Sequence, residues 1–154
     1  MLNLKPNAMK KLLFTIIVCL FSLSLLSQSC LPEGIEFTTQ EQIDNFQAEN
    51  PGCTEIEGDV TIEGNGITNL NGLNVLTFIG GGFSIIGNDS LTNLSGLEGL
   101  TSIGGNLIIG YLEPWTFDKG NPLLQSIAGL GNLTTIGGNL KIGNNDSLTS
   151  LTGL

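Results

Sequence analysis

Three carboxylates close together, Glu57, Asp59 and Glu63, are the residues best placed to do acid–base chemistry. Two carboxylates on one face of a β-rich rod could hydrolyse a glycosidic bond, one as proton donor and one as nucleophile or base. The plainer reading is a solvated acidic face. Asp89 and Asp146 occupy matching Asn-Asp-Ser turns and suggest calcium. Calcium wants six to eight oxygens, each turn supplies one carboxylate, and the calcium-binding pattern G-G-x-G-x-D does not occur. The absence of histidine removes the usual base for a Ser or Cys nucleophile and the commonest zinc ligand. This inventory leads us to expect no catalytic residues, no metal and no cofactor.

A different kind of chemistry is offered by Tyr111, Trp115 and Phe117. The first two are the only Tyr and the only Trp in the chain, and Glu113, Asp118 and Lys119 lie among them. Rigid rings bury area at little entropic cost, so aromatics gathered on a protruding segment suit ligand binding. These three are the candidate ligand-binding residues, able to stack on a sugar or grip a protein. The alternative is that Trp115 folds back as a local mini-core.

The scaffold that must carry these residues is written in a leucine ladder. Leu91, Leu94, Leu97, Leu100 and Ile103 lie three apart. Ile67–Ile79 and Leu124–Ile136 repeat the step, which begins again at Leu148, Leu151 and Leu154. A helix face repeats every 3.6 residues and a half-buried strand every 2, so a sustained step of three fits neither. It fits a backbone that keeps bending around one apolar axis, and four copies point to a solenoid. Leu97 follows Leu73 by 24 residues, Leu130 follows Leu97 by 33, and Leu154 follows Leu130 by 24. The long interval holds nine extra residues within Tyr111 to Pro122, where the aromatics sit.

Between ladders come short alternating strands at Val60/Ile62, Phe83/Ile85, Leu107/Ile109 and Leu140/Ile142. The last three follow glycine runs (Gly80–Gly82, Gly104–Gly105, Gly137–Gly138) that permit positive φ or close approach of neighbouring backbones. Thr77, Thr101 and Thr134 align, and such equivalents stack roughly 4.8 Å apart in a parallel sheet. One threonine column falls short of the two-wide array an ice-binding face needs. Four asparagines, 88, 93, 132 and 145, fit the N-glycosylation pattern, although the repeat itself generates them and they equally suit stacked amide ladders. The last copy stops at Leu154 midway through its ladder, so the coils are expected to be C-terminally incomplete.

Residues 1–29 read as a secretory signal peptide: Lys10–Lys11, the apolar run Leu12–Leu26, then the small-x-small site Ser27–Gln28–Ser29, with Met9 as a second candidate start. The apolar run is short of the roughly 20 residues of a membrane span, and no span is expected in the mature chain. A lipoprotein anchor on Cys30 is the weaker alternative, because Ser27 stands where that signal usually places an apolar residue. Loss of the signal removes three lysines and no acid. Two lysines then face 14 acidic residues, a net charge of −12 that repels phosphate backbones and argues against nucleic-acid binding. Cys19 leaves with the signal, and Cys30 and Cys53 remain as an even pair in an exported chain, expected to form a disulfide. Residues 30–53 then form an N-terminal cap. Within it, 39–47 reads as a short helix, with Thr38 or Thr39 as N-cap, Glu41 or Gln42 as its partner, and Asn50-Pro51-Gly52 as the stop.

The Cys30…Cys53 segment, the helix at 39–47, the strand after Cys53 and the coils I-T-N-L-N-G-L and L-T-S-I-G-G-N-L resemble the receptor L domain. The regular copies are most similar to bacterial secreted proteins of leucine-rich-repeat-like L-domain units. The resemblance covers residues 30–154. It implies a mainly β protein: a right-handed parallel β-helix or solenoid over residues 54–154, with a short disulfide-linked N-terminal capping helix within residues 30–53. It implies a secreted or cell-surface, non-enzymatic binding module for an extracellular protein or glycan. No ligand site carries over from that family, and the nine-residue insertion departs from it. An extracellular polysaccharide-active β-helix enzyme is the alternative function.

Overall fold

The computed structural model describes residues 28–110 and 119–154. Among the described residues, ten strands and one α-helix run in the order β1 (Gln28–Cys30), β2 (Ile35–Phe37), α1 (Gln40–Glu49), β3 (Cys53–Ile56), β4 (Val60–Ile62), β5 (Phe78–Ile79), β6 (Phe83–Ile85), β7 (Ser102–Ile103), β8 (Leu107–Ile109), β9 (Thr135–Ile136) and β10 (Leu140–Ile142). The strands form two parallel five-stranded sheets. The first runs β1-β3-β5-β7-β9 and the second β2-β4-β6-β8-β10. Each repeat therefore gives one strand to each sheet, and each strand pairs with its counterpart in the neighbouring repeats. Neither sheet closes on itself. β1 and the expected signal overlap at Gln28 and Ser29, which pair with β3.

The step of three has a local cause. Along each ladder the aliphatic residue's N–H donates to the carbonyl of the residue three earlier. Leu73 N bonds Leu70 O at 2.9 Å and Leu76 N bonds Leu73 O at 3.0 Å; Leu97 and Leu100 repeat this at 3.2 and 3.0 Å, and Leu130 and Leu133 at 3.0 and 2.9 Å. Successive i→i+3 turns advance three residues per turn, so every third side chain faces the same way. That way is inward: the ladders from Ile67 to Ile79 and from Leu91 to Ile103 are buried throughout. Strand alternation adds Val60, Ile62, Phe83, Ile85, Leu107 and Ile109 to the same core cluster. Burial fades along the last copies, where Leu133, Ile136 and Leu148 are half-buried and Leu140, Leu151 and Leu154 exposed.

The glycine runs serve close approach. A Cβ at Gly104 would collide with the Gly80 carbonyl, and one at Gly137 with the Gly104 carbonyl, while neither residue has a positive φ. These glycines let one repeat's backbone lie on the next.

The cap is built as the sequence suggests, with its alternatives resolved. Thr39 is the N-cap, its hydroxyl accepting from Gln42 N while the Gln42 side chain accepts from Thr39 N at 3.1 Å. The helix extends past the expected 47 to Glu49 before Asn50 ends it. Ile43 and Phe46 point into the core, and Phe46 meets Phe37 edge-to-face at 5.7 Å. The Cys30–Cys53 disulfide closes the cap, with Cα atoms 5.7 Å apart. No helix among the described residues is long and apolar enough to cross a membrane.

Candidate functional site

The insertion departs from the end of a strand of the second sheet. The register sets Ile85 against Ile109, so Ile86 matches Gly110. Gly110 N donates to Ile85 O at 2.8 Å, and Gly143 N to Ile109 O at 3.0 Å. Asn88, Asn121 and Asn145 form one stack, so Gly120 matches Gly87. The nine extra residues are thus 111–119. They leave and return at positions that are consecutive, Ile86 and Gly87, in the preceding repeat. Tyr111, Trp115 and Phe117 lie outside the described residues.

The re-entry point is tied down. Lys119 Nζ bonds both Glu63 carboxylate oxygens, at 2.7 and 2.9 Å, and the Lys119 carbonyl accepts from Gly87 N at 3.0 Å. Two residues on, the buried asparagine stack begins. Asn88 Nδ2 donates to Asn121 Oδ1 at 2.9 Å, and Asn121 Nδ2 to Asn145 Oδ1 at 2.9 Å. Each Oδ1 also accepts the backbone N–H of the preceding repeat: Gly64 N to Asn88 at 3.0 Å, Asn88 N to Asn121 at 3.2 Å, Asn121 N to Asn145 at 3.2 Å. Satisfied buried amides of this kind fix register, since a slip would orphan them all. Asn88 and Asn121 are fully buried, so the Asn88 sequon is a structural asparagine; among the four sequon asparagines only Asn132 is exposed.

The three candidate acid–base carboxylates have separate engagements. Glu57 accepts from the Ser29 hydroxyl, Asp59 Oδ1 accepts from Gly82 N at 2.6 Å, and Glu63 holds Lys119. Asp89 and Asp146 border one cavity of about 120 Å³ with Pro122 between them in the repeat. Among the described residues no group of three or more His, Cys, Asp or Glu gathers as a metal site. The threonine column has its hydroxyls occupied. Thr77, Thr101 and Thr134 Oγ1 donate to the carbonyl of the preceding repeat at 3.2, 3.0 and 3.0 Å.

A trough of about 350 Å³ opens on the outer side of β4, β6 and β8. Its floor is the aligned row Thr61, Ser84 and Ile108, and its rim carries Asp59, Gly82 and Asn106. The strands are three residues long, so about 10 Å separates the rim from the root of the insertion at the other strand ends. The trough was not foreseen. Its sequence signal is the column Asp59–Gly82–Asn106–Asn139, in which glycine replaces an Asx residue, and this is visible only once the strands are in register.

No family model matches the sequence, and neither the curated proteins nor the solved structures hold a match to it.

Proposed function

We propose that the repeats wind into a right-handed parallel β-helix of the receptor L-domain type, and that the chain is a secreted or cell-surface, non-enzymatic binding module. Its ligand, an extracellular protein or glycan, lies on the outer face of the second sheet beside the 111–119 excursion. The supporting observation is the 350 Å³ trough on that face, which opens at one end of the strands that the insertion leaves at the other. Ligand sites are typically concavities of about 300–1,000 Å³ with a few convergent polar groups. Glycoside hydrolysis would need a second carboxylate roughly 5–9.5 Å away on the same ligand, and Asp59 is the one carboxylate in the trough lining; binding is therefore the better-supported reading.

The test is an array of extracellular proteins and glycans probed with the whole chain, the Thr61→Arg/Ser84→Arg variant and Trp115→Ala. Retention of a ligand by the parent that falls at least tenfold in the double variant supports the face. Retention unchanged in all variants, or no retention of any protein or glycan, refutes it.

A further inference from the structure

We infer that the trough over β4, β6 and β8 is a subsite for a neutral, hydroxyl-rich ligand, a sugar unit of a glycan, held by Asp59, Thr61, Ser84 and the Asn106 N–H; this rests on the binding-module reading above.

A column of turn residues before the strands of the second sheet is interrupted. At the turns before β4 and β8, an Asx side chain accepts the backbone N–H of the next repeat. Asp59 Oδ1 takes Gly82 N at 2.6 Å, and Asn106 Oδ1 takes Asn139 N at 2.7 Å. Between them stands Gly82, which has no side chain to offer the Asn106 N–H. The ladder lacks a step here and at Gly34; Gly34 has a φ of +82° and no room for a Cβ, whereas at Gly82 the missing side chain leaves the trough.

Sterics do not demand this glycine. Its φ is not in the left-handed region. A Cβ built there would find its nearest neighbours, Asn106 O and Asp59 Oδ1, at 3.5 Å, an ordinary contact. This sets Gly82 apart from Gly81, where a Cβ would collide with the Asp59 carboxylate. A Cβ at 82 has room, and an asparagine is the residue type that continues the ladder at Asn106. The vacancy therefore exposes a fixed backbone donor without any backbone constraint that explains it.

The groups around the vacancy select the ligand. Asp59 is pinned through Oδ1 and borders the trough, where its carboxylate is an acceptor. Thr61 and Ser84, adjacent across β4 and β6, each present a hydroxyl that can donate and accept. Asn106 N–H is a donor, and Ile108 supplies an apolar edge for C–H groups. Donors and acceptors alternating over a few ångströms match vicinal hydroxyls. An anionic ligand would meet Asp59 with no cation in the lining, in a chain of net charge −9. An aromatic ligand would find no ring to stack on, since Ile108 and Val60 are the only apolar side chains in the lining.

The experiment uses the whole chain on an array of neutral oligosaccharides, followed by titration calorimetry with the retained sugar. Gly82→Asn is the diagnostic variant, with Ser102→Asn on the outer face of the first sheet as control. The expected result is retention of at least one neutral oligosaccharide, a loss of affinity of tenfold or more in Gly82→Asn, no drop in Tm for that variant, and parent-like affinity in Ser102→Asn. Should Gly82→Asn fold poorly, Thr61→Val/Ser84→Ala, which removes both hydroxyls and little volume, is expected to lose a similar factor. Retention of proteins, amines or anionic glycans without any neutral oligosaccharide overturns the inference while leaving the binding-module reading in place. Affinity within twofold of the parent in both trough variants overturns it as well.

Discussion

Asn88 and Asn132 sit in sequons that look alike in the sequence, and the structure gives them opposite weights. Asn88 Nδ2 donates to Ile62 O and Ile86 O at 3.0 Å and to Asn121 Oδ1 at 2.9 Å, and Asn88 Oδ1 accepts from Gly64 N at 3.0 Å. After Asn88→Ala, Ile62 O keeps Ile86 N and Asn121 Oδ1 keeps Asn88 N. Gly64 N–H and the Ile86 carbonyl lose the partner that Asn88 gives them. Each unsatisfied buried group costs about 1–3 kcal/mol. Both sites are only partly buried, which places the loss at about 3 kcal/mol. In a domain stable by about 5–15 kcal/mol this is a large fraction. With an m-value of about 2 kcal/mol/M, the urea midpoint should fall by about 1.5 M at unchanged m. Asn132 is exposed and makes one bond, to Glu98 O at 2.7 Å, so Asn132→Ala should cost less than about 1 kcal/mol. Equal midpoints for the two variants, or an Asn88→Ala loss below about 1 kcal/mol, would refute the claim that the amide stack holds the repeats in register.

Gly72 lies under the capping helix, where a Cβ would collide with the Ile43 carbonyl; Gly72→Ala should displace α1, lowering Tm and opening residues 40–49 to limited proteolysis. Cys30→Ser/Cys53→Ser removes a cross-link spanning 23 residues and should cost about 3 kcal/mol of unfolding free energy, read by urea titration. Thr39→Ala removes the hydroxyl half of the capping box and should cost about 1 kcal/mol by the same measurement. The Lys119–Glu63 pair is 45% and 32% exposed, so Lys119→Met should change stability by less than about 1 kcal/mol in a thermal melt.

The ladder of Leu91–Ile103 was legible because local turns, made by the chain's own i→i+3 hydrogen bonds, produce its period. The cap was legible for the same reason: Thr39, Gln42 and Asn50 act within a few residues of themselves. The strands at Phe78–Ile79, Ser102–Ile103 and Thr135–Ile136 were hidden in the ladder ends, since two residues are too few for an alternating pattern. The glycine runs were ambiguous between two uses, and only the neighbouring repeat's carbonyls decide for close approach. The trough was illegible for a related reason. Gly82 means nothing alone; it matters because Asp59 and Asn106 flank it across repeats whose spacing differs on either side, 23 residues and 24.

The claim that a ligand sits on the outer face of the second sheet is tested most directly by amide chemical-shift mapping of the whole chain during titration with an array-retained neutral oligosaccharide. The largest saturable shifts are expected at Asn106, with Gly82, Ser84 and Thr61 following. Saturable shifts centred on Phe78, Ser102 and Thr135, the outer face of the first sheet, would contradict it.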